Sequence, residues 1–165
     1  MIDIGTGTGC IGLSLKDAMP SCSMTLVDVS KQALETAQSN ASHLKTPVKT
    51  ILQDVLRLKE LPEKYDVIVS NPPYVRNLEK QEIHDNVLKN EPHIALFVDD
   101  SDALIFYRKI LELAQNSLKP KGTVYFEINQ YLSEEMKALG TELAFDSEVF
   151  KDLNGNYRMM KCERI

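Results

Sequence analysis

The stretch Asp66-Val67-Ile68-Val69-Ser70-Asn71-Pro72-Pro73-Tyr74 constrains the fold of this chain more than any other. Val67, Ile68 and Val69 form a short apolar, β-branched run, the pattern of a buried parallel strand. Neither following proline has an N–H for a ladder, so the backbone leaves the sheet at Asn71. The residue before a proline is held extended, which stiffens Asn71 and Pro72 in turn. A rigid loop at the carboxyl end of such a strand lies where open α/β sheets keep their ligands. It offers the Asn71 side-chain oxygen, the Pro72 carbonyl and the Tyr74 ring, a set suited to a planar group carrying an NH2. Two adjacent prolines taken alone more commonly mean only a stiff turn.

A second ligand-facing loop precedes it. Met1-Ile2-Asp3-Ile4 reads as the end of a strand, then Gly5-Thr6-Gly7-Thr8-Gly9 leads through Ile11, Leu13 and Leu15 into a helix ending near Pro20. Strand, glycine turn and helix together bring backbone N–H groups and a helix N-terminus against a ligand. Gly7-Thr8-Gly9-Cys10-Ile11-Gly12 also fits the spacing of a nicotinamide-binding turn, so a dehydrogenase is a rival reading. Met24 to Asp28 is a second strand, with Asp28 placed to take a ribose diol or simply to end the strand at the surface. Ser30 is a candidate N-cap for a helix burying Leu34, Ala37 and Ala41. Val48 to Leu52 is a third strand; Asp54 just beyond it could accept from an exocyclic amine such as adenine's, or cap a turn.

Between Val75 and Asp102 no strand pattern appears. Leu78 to Val87 suggests a short helix, and Glu91-Pro92 with Leu96-Phe97-Val98 a loop folded over the site. A helix from about Asp102 to Leu118 has ordinary core spacing. Pro120-Lys121-Gly122 reads as a turn, Thr123 to Ile128 as a fifth strand, and Ser133 as the cap of another helix. Leu143 to Val149 and Tyr157 to Cys162 close the chain as an antiparallel pair around Gly155.

With 165 residues, 43% hydrophobic and 26% charged, the chain suits one globular domain. A net charge of −5 argues against a broad basic surface for nucleic acid. Cys10, Cys22 and Cys162 fit neither a disulfide framework nor a zinc pattern, and His43, His84 and His93 show no ligand spacing. Free thiols, no signal peptide and no apolar run long enough to cross a bilayer point to the cytoplasm and away from membranes. A central strand at the very start suggests a piece lacking an N-terminal region.

Glycine turn, Asp28 and Asn71-Pro72-Pro73-Tyr74, in that order, resemble a class I S-adenosylmethionine-dependent methyltransferase. Ile2 to Gly9, Glu91-Pro92-His93-Ile94-Ala95-Leu96-Phe97, Phe106-Tyr107, Glu127-Ile128 and Lys151 to Arg158 narrow this to the HemK/PrmC family. The resemblance covers the whole chain. It implies a protein-glutamine methyltransferase of peptide-chain release factors, built on a Rossmann-like α/β fold. That fold is a seven-stranded, mostly parallel sheet with helices on both faces and a C-terminal antiparallel hairpin. Residues 1–165 would be the catalytic domain, without the family's helical N-terminal substrate-recognition domain.

The resemblance also implies site residues. S-adenosyl-L-methionine, leaving as S-adenosyl-L-homocysteine, would lie on Gly5, Thr6, Gly7, Thr8 and Gly9, on Asp28, and on Asp54 and Val55, with Asn71 also in reach. Asn71, Pro72, Pro73 and Tyr74 would form the catalytic loop, with no metal. The implied partner is a protein, a release factor or else a ribosomal protein, with no direct nucleic acid and a monomeric enzyme. Val55 stands where members often have an aromatic residue, and Tyr157 where an acid usually precedes the arginine. An adenine-specific DNA methyltransferase would share the four-residue motif but wants a basic face; an inactive cofactor-binding scaffold is the non-catalytic rival.

Overall fold

Strand β1 (Ile2–Ile4) is short and wholly buried, and the rest of the sheet grows outward from it on both sides. It pairs in parallel with β2 (Thr25–Asp28) on one edge and β4 (Tyr65–Ser70) on the other. The computed structural model describes residues 1–76, 97–98 and 102–165. Among these, seven strands form one sheet in the order β3-β2-β1-β4-β7-β9-β8, where β3 is Lys49–Leu52, β7 Leu118–Glu127, β8 Phe145–Lys151 and β9 Tyr157–Arg164. The first five in that order are mutually parallel; β9 runs antiparallel to both β7 and β8. The expected α/β fold with its closing hairpin is therefore present.

Alternation along β2 explains the two helical layers. Val27 points into the larger core, shared with α3 (Ile105–Ser117) and α4 (Ser133–Glu142). Leu26 points into a smaller one, shared with α1 (Cys10–Ala18) and α2 (Lys31–His43). Period-2 alternation thus supplies apolar surface to both faces. Tyr107 of α3 meets Phe126 of β7 edge to face, ring centroids 5.2 Å apart. Each fully buried aliphatic here, such as Ile2, Ile68 or Ile110, contributes about 1.5–3 kcal/mol of transfer free energy.

Three local expectations need correction. Pro120-Lys121-Gly122 does not end an element but bulges within β7, where the register shifts between the pairs Tyr65–Leu118 and Val67–Thr123: β7 advances five positions while β4 advances two. Lys121 there takes a positive φ of 63°. Gly122 is required because a Cβ would sit 3.0 Å from the Lys119 carbonyl oxygen and 3.1 Å from that of Tyr65. Ser133 is the first residue of α4 rather than its cap; Leu132 holds the cap position without a side-chain bond, and Asn129 caps the preceding 3-10 turn instead. Phe97–Val98 is not loop but a short strand, β6, parallel to β5 (Val75–Arg76). The expected helix at 78–87 and the Glu91-Pro92 segment lie outside the described residues.

Candidate functional site

The carboxyl ends of β1, β2 and β4, together with the turn after β3, open on one cavity of about 680 Å³, within the usual range for a small-molecule site. Its floor is the glycine turn. Gly5, Gly7 and Gly9 all have positive φ, and Gly5 faces the Asn71 loop: a Cβ there would stand 4.0 Å from the Asn71 carbonyl oxygen. The Gly5 and Thr6 amides are both spent on the Val27 carbonyl, at 2.8 and 3.0 Å. Gly9 ends the turn as the N-cap of α1, where a side chain would press on Leu13 and Ala37.

Asp28 does two structural tasks as well as facing the cavity. Its Oδ2 accepts from the Gly7 amide and its Oδ1 from the Ser30 amide, each at 2.8 Å. Ser30 caps α2 by accepting from the Ala33 amide, as expected. Each Asp28 oxygen retains a lone pair for a hydroxyl pair such as a ribose diol. Asp54 also lines the cavity, yet it caps a 3-10 turn by accepting from the Leu56 amide at 3.0 Å, with Arg57 Nε 3.3 Å from its other oxygen. Val55 presents a small apolar wall beside it.

From the far side come Asn71, Pro72 and Pro73. Asn71 is exposed, whereas Pro72 is buried and fixes the loop. Thr6, Thr8 and the three glycines complete the predicted set, of which Gly9 supports the turn from outside the cavity wall. Tyr74 is the other member set apart. Its half-buried side chain packs against the larger core, and its hydroxyl donates to Glu127 Oε1 at 2.9 Å. Burial pushes that hydroxyl up to about 12, and the Glu127 carboxylate adds to the effect.

Residues not anticipated also line the cavity. Phe106 and Ile110 of α3 supply an apolar side; in the sequence Ile110 reads as ordinary core spacing, and Phe106 only as part of the family-like Phe106-Tyr107 stretch. Asp3 is the more telling omission. It is 1% exposed, and its Oδ2 accepts from the Thr6 hydroxyl at 2.7 Å and the Gly12 amide at 2.9 Å. Among the described residues its Oδ1 has no partner. Burial lifts the carboxyl to about 6, and the Thr6 and Gly12 bonds pull it down only in part. An acid in the middle of a three-residue apolar strand was the available signal. Among the described residues no cluster of side chains could hold a metal ion.

A family model described as the methyltransferase small domain matches residues 1–94. The chain is 51% identical over 162 residues to the release factor glutamine methyltransferase of Flavobacterium psychrophilum, covering 98% of this chain and 57% of that protein. It is 42% identical over 166 residues to the protein of the same name from Bacteroides thetaiotaomicron, covering 99% and 60%. It therefore spans less than two thirds of the length of these relatives. Among solved structures, a methyltransferase from Pyrococcus furiosus aligns with a TM-score of 0.70 at 20% identity, over 99% of this chain and 74% of that one. Magnesium protoporphyrin IX methyltransferase from Synechocystis, solved with bound S-adenosylmethionine, gives 0.63 at 14% identity, over 99% and 69%. At these identities the structural likenesses concern the fold alone.

Proposed function

The chain belongs to the methyltransferase small domain family, and from that premise we propose that it is the catalytic domain, residues 1–165, of a protein-glutamine methyltransferase. Its substrate is the side-chain amide of a glutamine in a peptide-chain release factor, as the names of the two relatives suggest. The observation that carries this reading is the Asn71-Pro72-Pro73 loop at the cavity, facing the glycine turn. A net charge of −5 counts against DNA as substrate. No helix among the described residues is long and apolar enough to cross a membrane.

S-adenosylmethionine fits the residues present. The cavity is large enough, Asp28 keeps acceptors for a ribose, and the unpartnered Asp3 oxygen suits a cationic amine. When bound, the cofactor supplies an electrophilic methyl group on a sulfonium. Gly5 to Thr8, Asp3, Asp28, Asp54 and Val55 would hold it.

The remaining work falls to the loop. A primary amide is a poor nucleophile because its nitrogen lone pair is shared with the carbonyl. The Asn71 side-chain oxygen and the Pro72 carbonyl would accept the two amide hydrogens, fixing the nitrogen's direction and stabilising positive charge as it develops there. Positioning supplies much of the remaining acceleration. Tyr74, which packs on the core rather than lining the cavity, would support the loop from behind, and the surplus proton would pass to water, so a dedicated base is unnecessary.

Mass spectrometry of a release factor incubated with the full-length protein and labelled S-adenosylmethionine tests the proposal. One methyl group on a single glutamine is the expected result; label on DNA or on no macromolecule would overturn it.

A further inference from the structure

The catalytic loop has a second support, at its Tyr74 end. The Tyr74 hydroxyl donates to Glu127 Oε1, and the Tyr74 carbonyl accepts from Asn129 Nδ2 at 3.1 Å. Glu127 is the last residue of β7, and its own carbonyl accepts from the Tyr107 hydroxyl at 3.0 Å. Arg158 of β9 completes the group. Its positive charge acts on the Tyr74 hydroxyl, and its carbonyl accepts from the Ile128 amide at 2.9 Å. Its Nε lies 3.8 Å from Asp152 Oδ2, with only 29% and 23% of the two side chains exposed. Asp152 in turn accepts from the Asn154 and Asn156 amides, which fixes the turn at the tip of the β8–β9 hairpin.

We propose that Glu127 and Arg158 are positioning residues, which brace the Asn71–Tyr74 loop against β7 and the closing hairpin so that Asn71 and Pro72 meet the substrate amide in register. The inference rests on the methyltransferase reading of the same loop. Glu127 is given no proton-transfer role here: it is not among the residues lining the cavity, and its Oε1 accepts from the Tyr74 hydroxyl. A brace of this kind answers a specific weakness. The prolines stiffen the loop internally, but Asn71 is exposed and the loop's far end needs an anchor of its own. Displacement of about 1 Å at a reacting centre costs as much as 10²-fold in rate.

The decisive variants are Tyr74→Phe, Glu127→Ala and Glu127→Gln in the full-length enzyme. Glu127→Ala should lower kcat by about tenfold or more, leaving KM for the release factor and the Kd for S-adenosylmethionine within about threefold. Tyr74→Phe should do the same, and the double variant should be no worse than either single one, because both break one contact. Glu127→Gln can still accept the phenol's hydrogen bond, so it should recover most of the turnover; a proton-transfer role would leave it dead. Hydrogen exchange of the 70–76 segment supplies a readout independent of activity: it should quicken in Glu127→Ala and Tyr74→Phe while α1 is unchanged. Unaltered exchange, additive losses, or a dead Glu127→Gln would each overturn the brace. Absence of methylation by the wild type would instead count against the functional reading, and exchange would still decide the brace.

Discussion

Ser70 Oγ donates to the Ile4 carbonyl oxygen across 2.6 Å, with both residues buried at the point where the two ligand-bearing loops leave the sheet. Residues sixty-six apart in sequence are thereby locked together just beneath the glycine turn and the Asn71 loop. Ser70→Ala removes this donor without adding bulk. It should cost about 1–3 kcal/mol in urea denaturation and slow turnover more than it weakens cofactor binding. An unchanged denaturation midpoint would mean water replaces the hydroxyl.

Asn71→Ala separates methyl transfer from mere cofactor binding. The change deletes the proposed substrate acceptor, while buried Pro72 continues to hold the backbone. Turnover should fall about 10²–10³-fold, with cofactor affinity altered by less than about tenfold, or 1.4 kcal/mol. Wild-type turnover would show that the amide is oriented by another group.

Asp28 presents a choice of variant. Asp28→Ala would remove the proposed ribose acceptor and also strip the Gly7 and Ser30 amides of theirs. Its affinity loss should reach or exceed about 1.5–3 kcal/mol for a charged hydrogen-bond partner. Asp28→Asn keeps one acceptor oxygen and should lose less. Calorimetry giving equal affinity for wild type and both variants would place the ribose elsewhere.

Asp3 gives a pH signature. Burial holds its carboxyl at about 6 in the fold, against about 4 when unfolded. The native state therefore binds the proton more tightly. Stability from this source is complete below about pH 4 and is lost as pH rises through about 6, by up to about 3 kcal/mol. Asp3→Asn abolishes that dependence, so the variant should gain on the wild type between pH 4.5 and pH 7 when both are compared by chemical denaturation. A difference independent of pH would show that the carboxyl is not elevated. Affinity for S-adenosylmethionine should weaken as pH falls below about 6, when Asp3 loses its charge.

Gly12→Ala sets helix propensity against packing. Alanine favours a helix interior by about 1 kcal/mol over glycine. Here its Cβ would collide with the Leu26 side chain and lie 2.9 Å from Asp3 Oδ2. Crowding a filled core costs about 1–3 kcal/mol, so the variant should melt at or below the wild-type temperature and bind cofactor more weakly. A clear rise in melting temperature would show that Leu26 and Asp3 yield freely.

The parts legible in the sequence are those that local chemistry specifies. Two prolines after a β-branched run, glycines where φ must be positive, and an acid at a strand end identify their sites without neighbours. Seven strands follow from similar patterns. What escaped depends on distant contacts. Asp3 matters because it is buried beneath the Gly12 amide, and Phe106 and Ile110 share a spacing with core residues that never reach the cavity. Pro120-Lys121-Gly122 has the composition of a turn, but β4 continues to pair beyond it and turns it into a bulge. Asp54 caps a turn, one of its two readings, while it also lines the cavity.

The strand order has a consequence for how the molecule comes apart. Residues 2–52 build the sheet from β1 outward to β3, and residues 65–164 build it outward from β4; among the described residues the two runs share one strand joint, β1 against β4. The cavity straddles that joint, with the glycine turn and Asp28 on one run and Asn71, Phe106 and Ile110 on the other. A bound cofactor therefore acts as a cross-brace between sequential halves. At a hundredfold excess over Kd it would raise the cost of parting them by about 2.7 kcal/mol. Proteases that nick the connector at 58–64 only when the halves separate would find it shielded, and the rate of cleavage there would report cofactor occupancy.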